Sequence, residues 1–504
     1  MSDSLNAAGV ELDFSRLELP ADLGERYREA IDRATQEMKA VEAGENVNSD
    51  EGRQVGHYWL RNPKLAPGDL GTSITQTWQS IDDFARDVFV GRFTNILWIG
   101  IGGSGLGPQL LYDSLRVPGV TPNMFFFDNT DPFGFRRTVG DIEQTGGLKS
   151  TLTVVVSKSG GTKETANGMK FAKAEYERAG LSFEAHAAAV TQPDSALDKL
   201  AGPETADDPK TAGPEWLKRF AIWDWVGGRT SLFSAVGLLP ARLLGFDSSA
   251  FLAGAREMDD VTRAADLESN PALKLATAWF HVVEHQSLHN MVVLPYCDRI
   301  SLMSKYLQQL VMESVGKEGK GISVFGNKGS TDQHSYVQQL RDGYNDFFAM
   351  FLRVLDPEVD EMEVEPGVTA GDYLMAFQEG TARALTETGR LSMRITVDRF
   401  NEHTLGALIG LFERAVGYYG AMLGINSYHQ PGVEAGKAAA GELLVAQLAV
   451  LKHLPGDAVE LAQDDERRKE FAKQLRAEEE LKTLTDDFVS DLLKRFAVCG
   501  RLTE

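Results

Sequence analysis

Residues 151–180, TLTVVVSKSGGTKETANGMKFAKAEYERAG, change character twice. Val154, Val155 and Val156 are β-branched and predict a buried strand, and the small, hydroxylic and glycine residues of 157–162 turn the chain with backbone N–H groups pointing outward. Beyond them the apolar residues fall at helical spacing. Strand, small polar loop and helix in that order make a cup for an anion, because free N–H groups at a helix N-terminus attract negative charge. Lys158 stands inside this loop. The spacing G-x-x-x-x-G-K-[ST] is missing, so a Walker-type nucleotide loop is not expected. A small phosphorylated molecule suits the loop better.

The alternation recurs on both sides. NILWIGIGGSGLGPQLLYDSL (95–115), NMFFFDNTDP (123–132) and FEAHAAAVTQP (183–193) are apolar strands closed by turn residues, the first again followed by a helical pattern. Such alternation predicts an α/β fold with a parallel sheet between helices. Ligands of open α/β sheets bind at the carboxyl ends of strands, so the loops 102–105 and 157–162 are expected to face one site. Residues 1–75 read as helices and connectors, with ADLGERYREAIDRATQEMKAVEAGEN (21–46) at helical period. SLHNMVVLPYCDRISLMSKYLQQLVMESVGKEG (287–319) gives a second strand and helix, hence a second α/β region. The charge-dense run 464–496 predicts a solvated helix or a subunit contact.

The bulk numbers bound the function. A chain of 504 residues has room for two to four domains, and a net charge of −22 argues against general nucleic-acid or anionic-membrane binding. No apolar run is long enough to span a bilayer, and the first residues show no signal-peptide pattern. Cys297 and Cys499, far apart and without metal-ligand spacing, suit a reducing cytoplasm. A phosphate substrate would be repelled on average, so its site needs local cations; Lys158, Arg229 and Lys437 are the candidates.

Each chemical motif has an ordinary alternative. Gly100, Gly102 and Gly105 fit G-x-G-x-x-G between strand and helix, with Asp128 after the next strand for a ribose hydroxyl. That is a nicotinamide fingerprint or simply a tight turn; Ser104 and the second cup favour a phosphomonoester shared by two loops. HVVEH (281–285), with His289 beyond, matches a zinc hydrolase pattern, and helix-surface histidines are the alternative. Glu313 and Gln309 share a helix face, where a carboxylate is either inert or a general base. His334 sits in a glycine-rich polar loop. Arg229 follows Gly227 and Gly228 before a helix, and Lys437 stands near a helix start, where the helix dipole disfavours a cation and a ligand would explain one.

The order of these motifs is more specific than any one of them. GIGGSGLGP (100–108), SKSGGTKET (157–165), GGRTSLFSAVGL (227–238), QQLVMESVGK (308–317), GSTDQHSYVQQL (329–340) and QPGVEAGK (430–437) together resemble the phosphoglucose isomerase family, from about residue 95 to 440. The resemblance implies two sugar isomerase domains, each a parallel β-sheet flanked by helices, with helical N- and C-terminal extensions. The expected boundaries are a helical segment 1–78 packing on the second domain, a first domain 79–245, a second domain 246–456 and a helical segment 457–504. It implies a homodimer with active sites shared between subunits, in the cytoplasm, and a sugar phosphate as substrate.

Carried over by motif, Ser157, Lys158, Ser159, Gly160, Gly161 and Thr162 hold the phosphate, with Gly103, Ser104 and Gly228 on the sugar side. Glu313 is the base, Arg229 the neighbour of the enediolate, and His334 with Lys437 the ring-opening pair, while Gln309, Gln430 and Glu164 line the site. The loop SKSGGT is slimmer than in animal members, and Pro431 stands where tryptophan is common, so the pocket rim is expected to differ.

The reaction so implied is the interconversion of glucose 6-phosphate and fructose 6-phosphate. It needs one base to move a proton between C2 and C1, a cation for the enediolate, and a separate acid and base to open the ring. A histidine suits that last task by its titration range, and no metal or redox cofactor is required. A nicotinamide oxidoreductase and a non-enzymatic sugar-phosphate-binding module are the alternatives. The first leaves Glu313, His334 and Lys437 without a task, and the second leaves the base without one.

Overall fold

The computed structural model describes residues 3–202, 215–326, 328–359, 362–477, 481 and 485–501. Its strands in chain order are β1 (Ser4–Ala7), β2 (Val10–Asp13), β3 (Asn95–Ile99), β4 (Asn123–Phe127), β5 (Thr151–Val156), β6 (Ala187–Thr191) and β7 (Lys218–Ala221). The remainder are β8 (Asn290–Tyr296), β9 (Ser323–Gly326), β10 (Phe347–Asp356), β11 (Glu363–Glu365), β12 (Val368–Thr369) and β13 (Ser392–Arg399). The chain divides into two compact units, Met1–His429 and Gln430–Glu504.

The first sheet has the order β4-β3-β5-β6-β7 and all its pairings are parallel. Every residue of β3, β5 and β6 is buried, which is why these strands read as unbroken apolar or small runs rather than as alternations. Alternate residues serve opposite faces. Leu97, Ile99 and Val155 join Phe127, Tyr176 and Phe183 in one core, and Ile96, Trp98, Val154 and Val156 belong to the other. Chain order reverses between β3 and β5, since β4 lies on one side of β3 and β5 to β7 on the other. The loops leaving β3 and β5, residues 100–102 and 157–162, therefore meet at the switch point, where such sheets bind ligands.

The second sheet, in the order β1-β2-β13-β10-β8-β9, combines four parallel strands with an antiparallel edge. That edge adds a β-hairpin to the start expected as helices and connectors, on a second sheet whose other four strands are parallel as expected. β1 and β2 form a hairpin across Ala8 and Gly9, both at positive φ, and β2 then pairs with β13. Buried Val10 and Leu12 alternate with partly exposed Glu11 and Asp13. Four residues of such alternation are too few to announce a strand in isolation, and pairing with β13 supplies the rest.

Helices follow the hairpin, as the sequence indicates. Arg28–Glu42 packs on the long helix Glu402–Leu423, whose residues 404–423 are all buried, and Arg33 Nε donates to Ala421 O at 2.9 Å. At that junction Arg61 and Arg414 lie fully buried among Asp259, Glu413 and Glu42; Arg414 Nε donates to Asp259 Oδ1 at 2.9 Å.

The second unit is helical: Pro431–Lys452, Ala458–Gln463, Asp465–Leu475 and Asp486–Val498. Val450, Leu461, Ala472, Val489, Leu493 and Phe496 form a core of its own. The expected boundary at 456/457 thus falls inside this unit, because the helix Pro431–Lys452 contributes Ala446 and Val450 to that core. Among the described residues, the charged run expected as a solvated helix or a subunit contact contains the helices Asp465–Leu475 and Asp486–Val498, each with buried apolar residues.

Candidate active site

Four segments of the first unit converge beyond the carboxyl end of β3. Gly102, at φ +59°, starts the helix Gly103–Leu115, and a side chain there would meet Gln309 Nε2 at 3.3 Å. A Cβ on Gly103 would lie 2.0 Å from the carbonyl oxygen of Gly228, far inside contact distance, so only glycine permits the two loops to touch. Gly228–Thr230 is a single 3₁₀ turn that carries Arg229, and Met303–Val315 is the helix that carries Gln309 and Glu313.

Glu313 is held from two sides. Gln309, one turn earlier, donates through Nε2 to Glu313 Oε2 at 2.9 Å, and Arg229 Nη1 lies 3.1 Å from Oε1. The carboxylate side chain keeps 17% of its surface open, whereas the arginine side chain keeps 4%. Arg229 is fixed in turn, since Nη2 donates to the carbonyls of Ser427 and His429, each at 3.0 Å. Burial pulls the guanidinium pKa below its ordinary value, against the opposing field of Glu313. The result is a partly open carboxylate beside a buried, oriented cation, which can pass a proton between neighbouring carbons while charge builds on an oxygen.

The loop after β5 is held by its own hydroxyls and by the end of β6. Thr191 Oγ1 donates to Ser157 O at 2.7 Å and Gln192 N to Lys158 O at 3.1 Å, which ties the loop to the end of β6. Ser157 Oγ donates to Thr162 Oγ1 at 3.2 Å, and the N–H of Gly161 reaches Ser159 Oγ at 3.2 Å. Gly160, at φ +68°, leaves no room for a Cβ, which would stand 2.4 Å from Leu197 N. Thr162 caps the helix Lys163–Arg178 without a side-chain hydrogen bond, so that helix's first N–H groups remain available to an anion, with Glu164 exposed in the first turn.

Lys158 does something the sequence did not disclose. Its Nζ donates to the carbonyls of Asp224 at 2.6 Å and Val226 at 2.8 Å, so the ammonium clasps the strap that leads to Gly228 and Arg229. Burial first, and the nearby charge of Arg53 second, bring its pKa down to about 8. Arg53 Nη1 donates to the same Asp224 carbonyl at 3.0 Å and Arg53 Nε to Glu51 Oε2 at 3.0 Å. Sequence reading passed over this 48–53 segment; its only signal was the acid-rich polar turn NSDEGR.

Of the remaining candidates, His334, Gln430 and Lys437 belong to other segments of the chain. His334 is exposed at the end of the 3₁₀ turn Thr331–His334 after β9, and no contact with Arg229 or Glu313 of its own chain joins it to the site among the described residues. Its neighbour Gln333 anchors the turn, donating to Tyr296 Oη at 3.0 Å and to Phe377 O at 2.8 Å. Gln430 and Lys437 belong to the second unit, where Lys437 is exposed in the second turn of Pro431–Lys452. Ser104, beside Gly103, accepts at its carbonyl from Trp98 Nε1 at 2.7 Å.

Of the alternative motifs, Asp128 accepts from Gln109 Nε2 at 2.6 Å. His281 has both ring nitrogens engaged, Nδ1 at 2.8 Å from Tyr27 Oη and Nε2 at 3.0 Å from Gln286 Nε2, while Glu284 and His285 at the helix end are exposed.

Comparison with known proteins gives concordant matches. The family model described as phosphoglucose isomerase matches residues 13–365 and 381–453. A glucose-6-phosphate isomerase of Citrifermentans bemidjiense is 50% identical over 496 residues, covering 94% of this chain and 90% of that one. One of Geobacter sulfurreducens is 51% identical over 454 residues, covering 86% and 84% respectively. Among solved structures, a glucose-6-phosphate isomerase from Chlamydia trachomatis superposes with a TM-score of 0.77 at 26% identity, over 90% of this chain and 91% of that one.

Proposed function

Because the chain belongs to the phosphoglucose isomerase family, we propose that the cluster around Glu313 is the centre at which it interconverts glucose 6-phosphate and fructose 6-phosphate. The activity itself follows from the family and from relatives of about half-identical sequence over most of the chain. The same match does not favour the oxidoreductase or the binding module.

The observation that carries the assignment of the base is the setting of Glu313, a partly open carboxylate oriented by Gln309 and faced by buried Arg229. Glu313 takes the proton from C2 and returns it to C1, and Arg229 balances the charge of the enediolate between these steps. The N–H groups and hydroxyls of 157–162 bind the phosphate, with Gly103, Ser104 and Gly228 against the sugar. Lys158 supports this cup from beneath, through the carbonyls of Asp224 and Val226. His334 and Lys437 open the ring, and Gln430 and Glu164 complete the lining.

The protein acts as a homodimer with shared sites. Exposed His334, without a contact to Glu313 or Arg229 in its own chain among the described residues, supports that reading. The unpaired thiols Cys297 and Cys499 support a reducing, cytoplasmic setting.

A coupled assay of fructose 6-phosphate conversion tests the base. Glu313→Gln keeps the side-chain size and removes the base, so kcat is expected to fall on the order of 10² to 10⁴ while a non-reactive sugar-phosphate analogue still binds. Turnover within a few-fold of wild type would place the base elsewhere.

A further inference from the structure

Just past the helix that carries Glu313, which stops at Gly316, Lys317 Nζ donates to the carbonyl of Asn426 at 2.5 Å. Residues 426–429 have no regular secondary structure, yet they supply the two carbonyls that hold Arg229 Nη2. Asn426 is fixed on its other side too, where its amide donates to Asn48 Oδ1 at 2.9 Å and to Asp50 Oδ2 at 2.5 Å. The orientation of Arg229 towards Glu313 thus depends on an irregular segment whose first carbonyl is gripped by one ammonium group.

We propose that Lys317 is a positioning residue for the isomerisation, which holds 426–429 in the register that keeps Arg229 against Glu313 and couples that register to its own charge. The proposal rests on the reading of Glu313 as the base. A lysine four residues after a helical glutamate, at a helix end, is ordinarily explained by the helix dipole, which is why the sequence hides it.

The charged groups that face Lys317 come from three elements: Arg229 on its 3₁₀ turn, Glu313 on the preceding helix, and Asp50 with Glu51 on the 48–53 segment. His429 lies on the gripped segment itself, with Nδ1 3.2 Å from Asn426 O. Burial first and Arg229 second bring the ammonium pKa down to about 8, while Glu313, Asp50 and Glu51 act the other way. Above that pH the group is a neutral amine, and its hold on a carbonyl loses the charge-assisted part.

The test is the pH profile of kcat/KM between pH 6.5 and 10 for wild type, Lys317→Arg, Lys317→Gln and Lys158→Arg, each first checked for cooperative unfolding. Wild type is expected to lose rate on the alkaline side with a midpoint near 8. Lys317→Arg, permanently charged, should carry that fall to higher pH. Lys317→Gln, a donor without charge, should be lowered on the order of 10- to 100-fold at pH 7.5 and show no such fall, as misplacement of a catalytic group does.

Lys158 titrates in the same range, so its arginine variant separates the two lysines. A fall that moves in Lys158→Arg and not in Lys317→Arg overturns the proposal, as does Lys317→Gln within threefold of wild type. Should Lys317→Arg not fold, the glutamine profile decides alone. A wild type without isomerase activity, or an active Glu313→Gln, would instead remove the underlying reading of the site.

Discussion

Arg229 faces the Glu313 carboxylate and donates to the carbonyls of Ser427 and His429, so its place at Glu313 is a property of its surroundings rather than of its own rotamer. Glu313 and Gln309 were legible because a one-turn spacing puts them on one helix face. The destination of the Lys158 ammonium was not, since a lysine in a phosphate-like loop can reach a backbone carbonyl as readily as an anion, and residue type does not tell which. His334 presents the remaining question at this scale. On the proposed reading, Glu313 lies against C1 and C2 and cannot also serve the ring oxygen, so a second titratable group is required. Erythrose 4-phosphate separates the two tasks, because its terminal oxygen is esterified and no five-membered ring can close. In His334→Ala, glucose 6-phosphate turnover is expected to fall by about 10² or more, while exchange of the C2 hydrogen of erythrose 4-phosphate with heavy water changes by less than about tenfold. An equal loss in both measurements would assign the histidine to proton transfer between carbons.

At the level of elements, the strand-loop-helix units of the first sheet were readable because buried parallel strands need continuous apolar runs and their loops need glycine. The hairpin β1–β2 was not readable, since its stability comes from β13, far along the chain. The join between the helix Gly103–Leu115 and the 3₁₀ turn Gly228–Thr230 offers a direct check. A methyl group on Gly103 would stand 2.0 Å from Gly228 O, so the turn that carries Arg229 must retreat. Gly103→Ala is expected to lower kcat/KM on the order of 100-fold, since displacement of a catalytic group by about 1 Å costs that much. Overpacking of this kind costs about 1–3 kcal/mol, to be read from urea unfolding. Unchanged kinetics would show that the two loops do not touch in solution.

Across the whole molecule, a net charge of −22 coexists with a cluster of Arg53, Lys158, Arg229 and Lys317, each of which donates to a backbone carbonyl. Composition forecast the need for local cations; it could not show that their task includes shaping the backbone. The proposed shared sites can be checked by mixing inactive Glu313→Gln and His334→Ala chains after dissociation. If each site takes its base from one subunit and its histidine from the other, random reassociation restores roughly a quarter of wild-type activity, because half the dimers are hybrids with one intact site in two. No recovery would confine each site to one chain. The order in which the strands occur along the polypeptide has a further consequence, for synthesis. β3 to β7 all lie between residues 95 and 221, so the first sheet can pair while the rest of the chain is still being made. The hairpin that ends at Asp13 must wait for β13 at Ser392–Arg399. At about 5–20 residues per second, that interval is on the order of 20–80 seconds on the ribosome. For that time the hairpin lacks its partner strand, and its open edge is exposed to chaperone binding or mispairing.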